Sequence, residues 1–109
     1  MKHWNYLLVL RPTRPAMLTD GPTPEEIEAV EAHFLYAQSL VKNGTMLLAG
    51  RTHGEADATI GIGIFHAEND EEARALVALD PVIVKGVMTA EIQPYQIALF
   101  SENPHHNEQ

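Results

Sequence analysis

The sequence contains no cysteine. That absence removes disulfide frameworks, thiolate zinc sites and thiol nucleophiles together. Basic residues are scarce as well: Lys and Arg number 7 against 15 Asp and Glu, for a formal charge of −8 at pH 7. The few cations do not cluster, and a phosphate backbone needs clustered ones, so nucleic acid is not an expected partner. No apolar run approaches the length of a membrane span. The N-terminal "MKHWNYLLVLRPTRP" has no small-residue cleavage site after its short apolar core, so neither membrane insertion nor export is expected. Internal repeats and low-complexity tracts are also missing. These absences leave a soluble, acidic, cytoplasmic protein as the expectation.

What is present fits one domain. The 109 residues are 45% hydrophobic, enough for a small core and too few for two. We place the domain at residues 1–100 and a flexible tail at 101–109 ("SENPHHNEQ"). "HWNYLLVL" (His3 to Leu10) reads as a buried strand. "RPTRPAMLTDGPTP", with four prolines and a glycine, reads as a loop, long for a compact domain. "TPEE" then starts a helix: Thr23 caps, Pro24 suits the first position and Glu26 completes a capping box. The helix runs to about Lys42 and stops at Asn43-Gly44. Its apolar stripe is Ile27, Val30, Phe34, Ala37 and Val41, with His33 at the edge.

"TMLLAG" (Thr45 to Gly50) is a second strand. "TIGIGIFH" (Thr59 to His66) is a third, with Ile60, Ile62 and Ile64 on one face and Gly61, Gly63 and Phe65 on the other. Two glycines on one face imply close approach by a backbone, a ligand or a second subunit. "NDEEARALVAL" is a shorter helix, capped by Asn69 or Asp70, with Ala73, Leu76 and Val77 inward. Asp80-Pro81 ends it, and "MTAEIQPYQIALF" is a last strand in which Pro94 marks a bulge, a break or an edge.

The order β-α-β-β-α-β defines an α+β fold: a ferredoxin-like βαββαβ unit with a four-stranded antiparallel sheet and both helices on one face. The other face then carries apolar side chains with no cover, which implies a homodimer packed sheet to sheet.

Two residues stand out chemically. His33 on the first helix and Asp80 after the second could form a pair in which the acid fixes the ring's tautomer and stabilises its charged form. They read equally as a flank histidine and a turn acid before proline. Arg11, Arg14 and Arg51 could clamp an anionic substrate or serve only solvation and loop anchoring. No metal site is expected, because the histidines lack ligand spacing. "GIGIF" is not a phosphate loop, since no helix follows it. Tyr6 and Tyr95 read as packing residues.

"AHFLYAQSLVKNGTMLLAGR" and "FHAENDEEARALVALDPVIVKGVMTAEIQPY" together resemble the YciI-like (YCII-related) family. The resemblance rests on His33, on Gly44 to Gly50, on Asp80 to Val87 with its D-P and G-[apolar] elements, and on Gln93-Pro94-Tyr95. It covers Trp4 to Phe100. It implies a dimeric α+β barrel and an active site formed by the His33–Asp80 pair. Relatives in that superfamily include muconolactone isomerases, and one branch acts on chlorinated hydroxymuconates. "GRTH" departs from the frequent Gly-Pro after the second strand and places Arg51 and His53 near the implied pocket mouth.

The expected function is cofactor-independent acid–base catalysis on a small anionic carbonyl or muconate-like metabolite, of isomerase, lyase or dehalogenase type. His33 would be the base or acid and Asp80 its orienting partner. The alternatives are a non-catalytic dimeric module that binds a metabolite or a protein, and a purely structural dimer.

Overall fold

Alternation of large apolar residues dictates the first strand. In β1 (Trp4–Pro12) Tyr6, Leu8 and Leu10 are buried, while Asn5, Leu7 and Val9 are only half-buried on the opposite face. The computed structural model describes residues 4–55, 58–103 and 105, so His3, Asp57 and His106 lie outside the described residues. The proline-rich loop is not wholly irregular. It contains a single helical turn, α1 (Ala16–Thr19), whose Met17 is buried in the core. Its prolines and glycine hid this turn from a periodicity reading.

The long helix α2 (Pro24–Lys42) starts where the capping box requires. The Glu26 N–H donates to Thr23 Oγ1 at 3.2 Å, and the Thr23 N–H donates to Glu26 Oε1 at 2.8 Å. Arg14 doubles this joint from the loop, with Nε 2.9 Å from Glu26 Oε2 and Nη2 2.7 Å from Oε1. Nη2 also donates to the Gly21 carbonyl at 3.1 Å. The helix closes at Asn43, and Gly44 takes φ +86°, a conformation that favours glycine.

The inward face of α2 is only partly the apolar stripe read from hydropathy, of which Val30 and Ala37 pack on the core. Glu26, Ala29 and Leu40 are buried and Val30, His33, Tyr36 and Ala37 are half-buried, whereas Ile27, Phe34 and Val41 are exposed. The helix is turned toward its polar anchors, and His33 sits in the middle of the inward face instead of at its edge.

Strands β2 (Met46–Arg51), β3 (Gly61–Ala67) and β4 (Met88–Tyr95) complete an antiparallel sheet in the order β2-β3-β1-β4. The α2 crossover passes β3 to reach β2, and the return crossover passes β1 to reach β4. That is the ferredoxin-like arrangement, with the helices on one face. The face of β3 that carries Gly61 and Gly63 also carries buried Phe65 and turns toward the helices. The close neighbours of the glycines are side chains of adjacent strands. A Cβ on Gly63 would lie 3.5 Å from the Met46 methyl, and one on Gly61 3.5 Å from Leu10 Cβ.

Helix α3 (Asp70–Ala78) is capped by Asn69, whose side chain accepts from the Glu72 N–H at 2.8 Å, and buries Ala73 and Val77. Tyr6 donates to Asp70 Oδ1 at 2.8 Å and stacks on Phe65, tying the sheet to the start of α3. After α3 the β-branched run "PVIV" forms a second short turn, α4 (Pro81–Val84), with Val82 fully buried. Pro94 sits in register with Tyr6 on β4, an edge strand where its missing N–H is tolerated. The strand ends at Tyr95, and residues 96–100 do not extend it. Among the described residues no helix is long and apolar enough to cross a membrane.

The Arg14–Glu26–Thr23 joint has a pH signature. Hydrogen bonds from Arg14 first, and from the Thr23 N–H second, hold the Glu26 carboxyl below its ordinary 4.5, at about 2. A depressed folded-state pKa stabilises the fold above the unfolded value and loses that contribution as pH falls. Urea midpoints should therefore fall between about pH 4.5 and about pH 2, and Glu26→Gln should flatten that part of the profile. An unchanged slope in the variant would remove Glu26 as its source.

Candidate active site

Asp80 is seated by backbone geometry before any partner is considered. Pro81 bars it from helical conformation, and it takes φ −66°, ψ 129°. Its N–H donates to the Val77 carbonyl at 3.0 Å, closing α3. Its carbonyl accepts from the Ile83 and Val84 N–H groups, both at 2.9 Å, opening α4. Its carboxylate caps α4 by accepting from the Val82 N–H at 3.1 Å. The residue is 5% exposed.

The same carboxylate meets His33. Nδ1 lies 2.8 Å from Oδ2 and 3.0 Å from Oδ1. An ionised carboxylate only accepts, so Nδ1 carries the proton and the neutral ring keeps a lone pair on Nε2. One turn along, the Tyr36 hydroxyl donates to the Leu76 carbonyl at 2.6 Å. Burial first, then the Asp80 charge, raises the Tyr36 pKa, which keeps it a donor. Two polar links, three residues apart on α2 and four apart at the end of α3, thus fix the spacing of the two helices. Tyr36 was missed by the sequence reading. Its position three residues after His33, on the same helix face, was the available signal.

His33 and Asp80 lie in the wall of a cavity of about 1010 Å³ between α2 and the sheet. Its floor includes Gly61 and Gly63, and Ile27, Phe34 and Val41 line it along α2. Of the three arginines considered from sequence, Arg51 alone lines this space. It is exposed, and among the described residues it makes no ion pair. Arg14 is committed to Glu26 and Gly21. Arg11 points to the open face of the sheet, where Nη1 pairs with Glu91 at 2.9 Å. His53 is exposed and does not line the cavity. No cluster of three or more potential metal ligands occurs among the described residues.

The four-stranded antiparallel sheet with its helices on one face makes this a ferredoxin-like α+β domain. The YCII-related domain family matches residues 5–96, and the chain belongs to that family. Among solved structures it is similar to a 5-chloro-2-hydroxyhydroquinone dehydrochlorinase from Burkholderia phenoliruptrix, in complex with 2,5-dihydroxybenzoquinone. The identity is 23%, the TM-score 0.60, and the match covers 84% of this chain and 93% of the other. A de novo designed ferredoxin-fold protein matches at 15% identity and TM-score 0.40, covering 100% of both chains, too distant to carry weight. No curated protein matches.

The Asp80 links have separable outcomes. Asp80→Ala removes both the α4 cap and the ring partner and should cost about 2 kcal/mol in urea unfolding. Asp80→Asn retains a capping oxygen and should cost less. In the wild type, ring 15N shifts at neutral ring charge should report the Nδ1–H tautomer. A mixture weighted to Nε2–H is expected in Asp80→Asn. Identical tautomer populations would show that Asp80 does not orient the ring.

Proposed function

We propose that the protein is an enzyme that moves a proton next to a carbonyl group, in an isomerisation or an elimination such as dehalogenation. The observation that carries this reading is the His33 ring held through Nδ1 by a buried carboxylate in a cavity wall. Nε2 takes the proton adjacent to the carbonyl, and Asp80 stabilises the imidazolium formed. The ring then returns the proton to another carbon, or the electron pair expels a leaving group. Arg51 anchors an anionic group such as a carboxylate by forked hydrogen bonds. Arg11 and Arg14 are engaged elsewhere and are not assigned to substrate. The dehydrochlorinase neighbour supports the reading to the extent that the same fold accommodates a small cyclic carbonyl ligand.

The working form is a homodimer. On the open sheet face Leu7, Val9, Ile62 and Ile64 form an apolar patch on adjacent central strands, with no helix over it among the described residues. Covering it with a second copy removes this surface from water. Sedimentation should give twice the chain mass, and Val9→Asp should shift it toward monomer. A monomeric wild type would exclude this assembly.

Activity is tested by screening muconolactones, chlorinated dienoic acids and chlorinated hydroxyquinols against wild type and His33→Ala. Loss of about 10² to 10⁴-fold in kcat is expected for the variant. Turnover unaffected by His33→Ala would end the acid–base assignment. Ligand affinity without turnover in either protein would assign the site to a metabolite-binding module instead.

A further inference from the structure

A small ring does not fill this cavity. About 150 Å³ is enough to hold benzene, and the space between α2 and the sheet is about 1010 Å³, at the upper end of what drug-sized ligands occupy. The polar groups sit at separate places on its boundary. His33 and Asp80 come from the helical layer, and Arg51 comes from the outer strand β2. Glu31, exposed on α2, also lines the space and disfavours a second anionic group on that side.

The apolar lining has a direction. Ile27, Phe34 and Val41 repeat every seventh residue, so they form a track along one side of α2, about 21 Å long at 1.5 Å per residue. These side chains are 45%, 64% and 46% exposed, although the core lies beside them. Opposite the helix, Gly61 and Gly63 add no side chains of their own to a sheet floor made by Leu8, Leu10, Met46 and Phe65. An exposed apolar wall facing an apolar sheet floor is built for an elongated apolar body.

Resting on the acid–base reading above, we infer that the substrate is an amphiphilic carbonyl acid whose apolar part exceeds one ring: a fused bicycle or an acyl chain of roughly eight carbons or more. Its acid group meets Arg51 and its apolar part lies between the α2 track and the apolar sheet floor. The carbonyl is presented to His33. This class is larger and more apolar than the muconate-like compounds expected from sequence.

Calorimetric titration tests the inference without any turnover, using the carboxylates from butanoate to decanoate, with benzoate, 2-naphthoate and octan-1-ol. Affinity should rise about fourfold per added CH₂ until the track is filled. 2-Naphthoate should bind more tightly than benzoate. Arg51→Met should weaken octanoate by about tenfold and leave octan-1-ol unchanged. Gly61→Val places side-chain atoms on the floor at a position whose backbone is not in the left-handed region. It should reduce decanoate and 2-naphthoate binding by at least about tenfold while butanoate binding stays the same. If Gly61→Val fails to fold, Phe34→Ser on the exposed track serves the same test, with decanoate again the affected ligand.

Affinity independent of chain length would overturn the inference. So would failure of every acid to bind. The size preference and the catalytic reading can fail separately. Long acids that bind while His33→Ala leaves turnover untouched would overturn the chemistry alone. His33-dependent turnover of short substrates, with no gain from length, would overturn the inference alone.

Discussion

The buried Asp80 carboxylate is the contact on which three helices depend. A charge out of water is costly unless paired and hydrogen-bonded, and the cost of leaving it unpaired exceeds what any single neighbour contributes. Here it accepts from the Val82 N–H and from His33 Nδ1, while its own backbone closes α3 and opens α4. An apolar residue at this position would pack without the desolvation cost. What it could not do is cap α4 and hold an imidazole in one tautomer at the same time. The local demand and the chemical one are met by the same two oxygens, so the site is as rigid as the turn that carries it.

How much of this was legible in the sequence depended on whether a polar residue was counted as inward-facing. Strand alternation in "NYLLVL", the capping box and the Asn43-Gly44 stop are short-range signals, and they placed β1 and α2. The antiparallel order followed from element succession. The rotation of α2 did not follow, because hydropathy assigns Glu26 and His33 to solvent. Arg14 and Asp80, each distant in sequence, bring them inward. The same blindness hid α1 in a proline-rich loop and α4 in a β-branched run, where one buried side chain each, Met17 and Val82, outweighs weak local propensity. His33 and Asp80 could be named as a pair from residue type. That they meet, while Arg14 is spent on a helix start and Arg11 faces the far side of the sheet, required the register of the strands and the turn of the helix.

These observations share one cause. Helices on a sheet normally gain stability by burying an apolar stripe, at about 25 cal/mol per Å². α2 does so with Ala29 and Leu40, backed by Val30 and Ala37, and adds polar links to this packing. Arg14 to Glu26, Asp80 to His33 and Leu76 to Tyr36 secure it at its start and middle through directional bonds along one face. Each such bond contributes on the order of 1 kcal/mol net, more where a charge takes part. Together with the buried Ala29 and Leu40 they hold one face of the helix inward, and the neighbouring apolar side is not needed for that hold. That side is left facing the cavity, with Ile27, Phe34 and Val41 unburied. The inward face therefore carries the His33–Asp80 pair while the side next to it leaves room for something to bind, and a variant that turned Ile27, Phe34 and Val41 onto the sheet would gain stability at the expense of the site.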